Sequence, residues 1–339
     1  MQNEIKRVGV IGAGSWGSAL AIASSRAYPV TLWTHREEQA QYINYCRSNP
    51  KYLPAEILMP ENILVTGEFN ELSSCDLLIV STPLNAVREI LERLKILFDD
   101  INEVPDLFLV SKGFEAGSGK LPHEIVNDVL PNFSRFGLLI GPSFAKEVAI
   151  GLPTAITLAS SDSTFATKWM HQLNGIPNFR IYAHDDVIGS EVGSAIKNVL
   201  AIAVGISDGL SLGYNARAAL ITRSLNELSA LVLALGGKKE TIYGLTGIGD
   251  LILTCTGDLS RNRKVGQELA LGKTIDEVVT SLGHVAEGVS TAREIYLKAQ
   301  QLKIDMPISN CVYNIIYNKA DIHKEVSNLL SRAPKVEFV

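Results

Sequence analysis

Val192 to Ile206 reads VGSAIKNVLAIAVGI, and Lys197 is the one charged residue in it. Burying an ammonium is costly unless it is paired or its pKa shifts. A desolvated lysine moves toward neutral pKa and can then exchange a proton as a general acid or base. The alternatives are structural: the side chain snorkels to the surface, or it sits in a buried ion pair with Glu191 or Asp250. Asp250 itself ends a glycine-flanked stretch, Leu245-Thr-Gly-Ile-Gly-Asp250. It reads either as the N-cap of a helix over 251–255 or as a carboxylate that orients Lys197 and a reacting oxygen. A few residues on, Asp258 to Lys264 crowds Arg261, Arg263 and Lys264 beside Ser260 and Asn262 at an apparent helix start. Charge, neutral donors and free backbone N–H groups together suit a phosphate. Arg263 and Lys264 read equally well as a solvated basic face.

A second set of residues lies near the N-terminus. Gly12-x-Gly14-x-x-Gly17 follows the β-branched run Val8 to Ile11 and leads into a helical pattern over 18–25. Glycines at this spacing allow a tight turn and close backbone approach to a pyrophosphate, whose charge meets a helix N-terminus. The bland alternative is an ordinary glycine-rich turn, but strand, turn and helix follow in the order that dinucleotide binding requires. The next strand ends at Trp33-Thr34-His35-Arg36, and the acids Glu37 and Glu38 come only afterwards. A carboxylate at the strand end suits the ribose 2′-hydroxyl of NAD, whereas an arginine suits a 2′-phosphate. The reading favours NADP(H) and leaves NAD(H) open, with a solvated strand-end arginine as the alternative for Arg36.

These groups need a scaffold. Near-continuous apolar runs at Val8–Ile11, Val30–Trp33, Leu77–Val80, Leu107–Val110, Leu138–Ile140 and Ala155–Leu158 are separated by helical patterns. That alternation predicts an α/β N-terminal Rossmann domain with a doubly wound, mostly parallel sheet. Polar residues follow three of the runs, at Ser81-Thr82-Pro83, Ser111-Lys112-Gly113 and Gly141-Pro142-Ser143. Ligands in such folds sit outside the carboxyl ends of the strands, so Lys112 is a candidate anion contact as well as an ordinary loop lysine. From about Ser190 helical patterns take over. Residues 191–235 hold six charges in 45 positions, and a helix apolar nearly all round is a buried one. Two long helices are expected at 191–207 and 215–235, the second closed by Gly236 and Gly237. Shorter ones follow at 263–271, 275–281, 288–301 and 307–317. The division is a dinucleotide-binding domain over 1–189, an all-α substrate domain over 190–332 and a loose tail over 333–339.

The 339 residues carry 31 Lys plus Arg against 36 Asp plus Glu, a net charge of −5. That balance argues against a general nucleic-acid or anionic-membrane binder. Cys46, Cys75, Cys255 and Cys311 lie far apart and read as free thiols in a reducing compartment, the cytoplasm. The six histidines have no metal-ligand spacing, so no metal is expected. The most apolar stretch, 195–206, is too short to span a bilayer. The apolar excess of the helical half fits a homodimer interface.

Taken together, the chain resembles the NAD(P)-dependent glycerol-3-phosphate dehydrogenases of bacterial type over essentially its whole length. The resemblance rests on GAGSWG at 12–17, SKG at 111–113, GPSFAKEV at 141–148, GSAIKNV at 193–199, GYNARAA at 213–219, LTGIGDL at 245–251 and SRNR at 260–263. It implies a helical domain of the 6-phosphogluconate dehydrogenase type and reversible reduction of dihydroxyacetone phosphate to sn-glycerol 3-phosphate for phospholipid synthesis. By that resemblance Lys197 is the proton donor and acceptor at the C2 oxygen, flanked by Lys112 and Asp250. Ser260, Arg261 and Asn262 hold the substrate phosphate, and Gly141 and Ser143 line the site. Ser15, Trp16, His35, Arg36, Lys112, Ala145, Arg261, Val285 and Glu287 contact the dinucleotide, the last two on resemblance alone. The rival readings are a sister reductase of another small keto or hydroxy acid and a non-catalytic nucleotide sensor.

Overall fold

A computed structural model describes residues 5–282 and 286–333. Val285, and residues 334–339 of the expected tail, lie outside the described residues. Eight strands form one sheet: β1 (Val8–Ile11), β2 (Val30–Trp33), β3 (Ile63–Thr66), β4 (Leu77–Val80), β5 (Asp106–Leu109), β6 (Phe136–Ile140), β7 (Thr154–Ala159) and β8 (Phe179–His184). Their order is 3-2-1-4-5-6-7-8, parallel throughout except where β7 runs antiparallel to β6. Six helices accompany them: α1 (Ser15–Ser25), α2 (Glu37–Cys46), α3 (Val87–Asp99), α4 (Pro122–Val129), α5 (Ala145–Ile150) and α6 (Ser163–Leu173). Successive strand residues point to opposite faces. Val8, Val10, Leu77 and Ile79 accordingly join one core, while Ile11, Leu78 and Val80 join the core on the other face. The strand order reverses between β1 and β4, which is where such sheets open a ligand crevice.

The rest of the described chain is helical. It comprises α7 (Val187–Gly209), α8 (Gly213–Ala234), α9 (Lys239–Ile242), α10 (Asp250–Thr256) and α11 (Arg261–Ala270). Then follow α12 (Ile275–Leu282), α13 (Glu287–Leu302), α14 (Pro307–Tyr317) and α15 (Ile322–Leu330). The long helix α7 is the axis of this half, with α8, α10, α11, α13 and α14 all packed on it. It begins at Val187, whose side chain belongs to the core beneath the sheet, so one helix runs out of the sheet region into the centre of the helical region.

Three readings need correction. The apolar stretch around Lys197 is not short: α7 has 23 residues, a length that could cross a membrane, but 20 of them are buried inside the fold. Its partner α8 is not enclosed. Only Ser224, Glu227, Leu228, Leu231 and Val232 are buried in it, and Tyr214 is 81% exposed. The strands β3 and β8 and the helix α15 add to the elements the sequence predicts. The edge strand β8 alternates with exposed residues and α15 buries none of its side chains fully, so neither shows a continuous apolar run, while β3 offers only the three apolar residues Ile63, Leu64 and Val65, the middle one facing solvent.

Candidate active site

The glycine turn joins β1 to α1 at the switch point. Gly12 has φ +111°, and a Cβ there would lie 2.8 Å from the Ser81 carbonyl oxygen. A Cβ on Gly17 would overlap the Gly12 carbonyl oxygen, so this glycine lets helix and strand meet. Gly14 differs from both: nothing lies within 4 Å of where its Cβ would be. It opens onto free space at the start of α1, a helix with no side-chain cap to occupy its first N–H groups. An anion fits there by charge and by room. The turn is held from outside, because the Ala13 carbonyl accepts from Gln39 Nε2 and Asn49 Nδ2, both at 3.0 Å. Asn49 also donates to Ser18 Oγ at 2.9 Å, and Thr34 Oγ1 donates to Gln39 Oε1 at 2.8 Å. Sequence reasoning missed Gln39 and Asn49, since lone amides in helical and loop patterns carry no signal. Ser15 opens α1, and Trp16 is half-buried against the core of that sheet face.

After β2, His35 and Arg36 are exposed, with Arg36 Nε donating to His35 Nε2 at 3.1 Å. The Glu37 carboxylate lies against Gly67, on the β3 side. The loops after β4 and β5 are tied together by Ser111 Oγ, which donates to the Thr82 carbonyl at 2.6 Å. Gly113, at φ +116°, brings the second of these loops against Thr291 of α13.

Lys112, Lys197 and Asp250 converge where the loop after β5 meets α7 and α10. Asp250 Oδ1 is in direct ion-pair contact with Lys197, and Asp250 Oδ2 lies 3.1 Å from Lys112 Nζ. Lys197 also donates to Thr254 Oγ1 at 3.0 Å, and Thr254 in turn donates to the Asp250 carbonyl at 2.6 Å. Lys197 and Asp250 are 5% and 1% exposed, so the pair is shut off from bulk water. Burial pulls the Lys197 ammonium down to about 8, aided by the Lys112 charge and opposed by Asp250. Burial also works against the Lys112 charge, but Asp250 and Glu287 outweigh it and hold that ammonium above the ordinary lysine range. The two lysines are thereby split, one poised to release a proton near neutrality and one fixed as a cation.

Asp250 is not an N-cap. It is the first helical residue of α10, entered from a π-turn over Leu245–Gly249, and Gly249 occupies the cap. The carboxylate is therefore free to face the lysines. Glu191, the other expected partner of Lys197, instead accepts from the His123 backbone N–H at 2.8 Å and meets His123 Nδ1 at 2.5 Å.

The neighbour of Lys197 extends the cluster. Asn198 Oδ1 accepts from Asn262 Nδ2 at 2.9 Å, and its own amide donates to Glu287 Oε2 at 3.4 Å. Asn262 Oδ1 accepts from the Gly288 N–H at 3.0 Å. The starts of α11 and α13 are thus both fixed to the residue beside Lys197. Ser260 caps α11, accepting from the Arg263 N–H at 3.3 Å, and Arg261 is the exposed first residue of that helix. On the other side, the loop after β6 brackets α10. Pro142 lies against Gly249 and Phe144 over Gly257, while Ser143 Oγ donates to the Gly141 carbonyl at 3.0 Å. Ala145 opens α5, which packs on α1. Asn198 and Thr254 are further residues the sequence did not single out.

A sheet of this order with a glycine turn at its switch point, a helical second half and a buried lysine facing the strand ends defines a nicotinamide-dependent dehydrogenase of the Rossmann type. The chain belongs to the NAD-dependent glycerol-3-phosphate dehydrogenase family, whose N-terminal part matches residues 7–166 and whose C-terminal part matches residues 186–327. It is 49% identical over 333 residues to glycerol-3-phosphate dehydrogenase [NAD(P)+] of Aromatoleum aromaticum, covering 98% of this chain and 100% of that one. The namesake in Nitrosomonas europaea is 48% identical over 330 residues, covering 97% and 99%. Among solved structures, glycerol-3-phosphate dehydrogenase of Coxiella burnetii superposes with a TM-score of 0.90 at 39% identity, covering 96% and 99% of the two chains. D-mandelate dehydrogenase shares the fold at 13% identity and a TM-score of 0.59, covering 95% and 99%.

Proposed function

We propose that this chain catalyses the reversible reduction of dihydroxyacetone phosphate to sn-glycerol 3-phosphate with a nicotinamide cofactor. The observation that carries the reading is the buried Lys197–Asp250 pair with Lys112 beside it, in a chain of this family. The dinucleotide is held at the glycine turn by Gly12, Gly14, Ser15, Trp16 and Gly17, with His35 and Arg36 at the adenosine end. Ala145, Lys112, Arg261, Val285 and Glu287 complete its contacts. The exposed Arg36 guanidinium favours NADPH, since no carboxylate ends β2. Bound nicotinamide supplies the hydride. Lys197 holds the proton at the C2 oxygen, stabilises the charge that develops there and delivers the proton to it. Asp250 and Thr254 orient its ammonium, and Lys112 adds a fixed positive charge. Ser260, Arg261 and Asn262, with the first N–H groups of α11, take the phosphate, and Gly141 and Ser143 line the opposite wall. Gripping the phosphate remotely orients the carbonyl, so a ketone lacking phosphate loses turnover as well as affinity.

The same reading places the enzyme in the cytoplasm, supplying glycerol 3-phosphate for phospholipids, as a homodimer that covers the exposed face of α8, with its domains divided near residue 190. Mixing the chain with NADPH and dihydroxyacetone phosphate and following nicotinamide absorbance tests it. Oxidation is expected with this ketone and not with pyruvate or other keto acids; no oxidation at any pH overturns the reading. Light scattering reports the oligomeric state.

A further inference from the structure

The start of α11 is basic, yet the most enclosed of its cations does not face outward. Arg263 is the third residue of the helix, and its side chain is only 11% exposed. Its Nε donates to Asp208 Oδ2 at 2.7 Å, and one of its Nη groups donates to Asp258 at 3.0 Å. Asp208 uses its other oxygen for Arg217 near the start of α8, whose Nε donates to it at 2.7 Å and whose Nη2 lies at the same distance in an ion pair. The Asp208 side chain is 7% exposed, so a single enclosed carboxylate joins three helices. It stands eleven residues after Lys197 on α7. Eleven residues are about three turns and about 16 Å of rise, which returns Asp208 to the face that carries Lys197. Between them Gly205 lies on the same face, and its Cβ position would overlap the Arg263 carbonyl oxygen. Gly266 meets the Ile202 carbonyl in the same way, so the two helix backbones touch.

We propose that Asp208 is a positioning residue for the substrate's phosphate: by holding Arg263 and Arg217 at once, it fixes the first turn of α11 in register with Lys197. The proposal rests on the reading that Ser260, Arg261 and Asn262 take that phosphate. A displaced first turn leaves the proton donor intact but presents the carbonyl at the wrong distance, and small misplacements of this kind are costly. The clamp also withdraws Arg263 from the ligand, leaving Arg261 as the guanidinium that binds it. Removing the shared carboxylate takes a partner from both guanidiniums at once, so the loss falls on α8 and α11 together.

The test compares three variants in steady-state kinetics with NADPH. Asp208→Asn is expected to raise KM for dihydroxyacetone phosphate about tenfold or more and to lower kcat with it, and to leave NADPH binding, read by fluorescence, unchanged. Asp208→Glu should restore part of the loss. Unphosphorylated dihydroxyacetone, which has nothing for α11 to hold, should react equally well with Asp208→Asn and the parent. A residue that only stabilises the fold would lower the melting temperature and leave KM alone, and that result overturns the proposal. If Asp208→Asn does not fold, Arg217→Gln removes the outer arm alone, and an unchanged KM in that variant overturns the proposal equally. Arg261→Gln separates the two levels. Where it raises KM and the Asp208 and Arg217 variants do not, the clamp fails by itself. Where it too leaves KM unchanged, α11 does not hold the phosphate, and both readings fall.

Discussion

Lys197, in the middle of α7, and Asp250, in the first turn of α10, meet in a direct ion pair. Neither would be stable there alone. The pair also has an asymmetry: Asp250 has a second cation in Lys112, whereas Lys197 has no second carboxylate among the described residues. The proton is therefore held most loosely on Lys197.

Replacing Lys197 with Ala should lower turnover by roughly a thousandfold, the usual contribution of a positioned proton donor. NADPH affinity should stay within about twofold, because the glycine turn is elsewhere. Fluorescence titration beside steady-state kinetics checks this. Loss of cofactor binding would make Lys197 a structural residue.

The pH profile follows from the lowered Lys197 pKa of about 8. Ketone reduction needs the ammonium, so its kcat should fall as pH rises through about 8, while the reverse oxidation rises over the same interval. Asp250→Asn removes the charge that opposes burial and Lys112, which moves the pKa lower still. The alkaline limb of reduction should then shift to lower pH. A profile that is flat from pH 6 to 10 in the parent would remove Lys197 from the proton path.

The three glycines of the turn should respond differently to alanine. Gly17→Ala forces a Cβ onto the Gly12 carbonyl and should unfold the nucleotide half or lower its melting temperature sharply. Gly14→Ala meets nothing in the free protein. It should leave the melting temperature within a few degrees and still weaken NADPH binding, by about tenfold, because the methyl occupies the space an anion would enter. Equal stability losses in the two variants would contradict the assignment of that space.

Arg36→Ala should weaken NADPH about tenfold and NADH hardly at all, the loss of one charge-assisted contact to the 2′-phosphate. Equal effects on the two cofactors would take Arg36 out of that role.

Much of this was legible before any coordinates. Buried parallel strands declare themselves because both faces are covered, so β1, β2 and β4 appeared at their observed bounds. The glycine turn was legible for a related reason, since it follows one such strand and opens a helix. Edge strands were not: Arg180 interrupts β8, and β3 is only three apolar residues long, with Leu64 facing solvent. Lys197 stands out through contrast with its neighbours, and Asp250 is one of the two carboxylates the sequence offers it. Which carboxylate it takes depends on how α10 packs against α7, a contact no local pattern encodes. The same holds for Asn198, Asn262 and Glu287, whose meeting requires three helices to converge. Arg263 looked like a phosphate ligand or a surface charge, and it is tied to Asp208, 55 residues away.

The continuity of α7 from the sheet core to Asp208 makes the spacing of the site a matter of residue count. Each residue added to a helix turns everything beyond it by about 100° and advances it by about 1.5 Å. One residue inserted between Val187 and Lys197 would swing the ammonium away from Asp250 without touching a single ligand, and one inserted between Lys197 and Asp208 would unhook α11 from its clamp. Loops away from the site can lengthen with little consequence, whereas this stretch tolerates exchanges of residue type far better than changes of length.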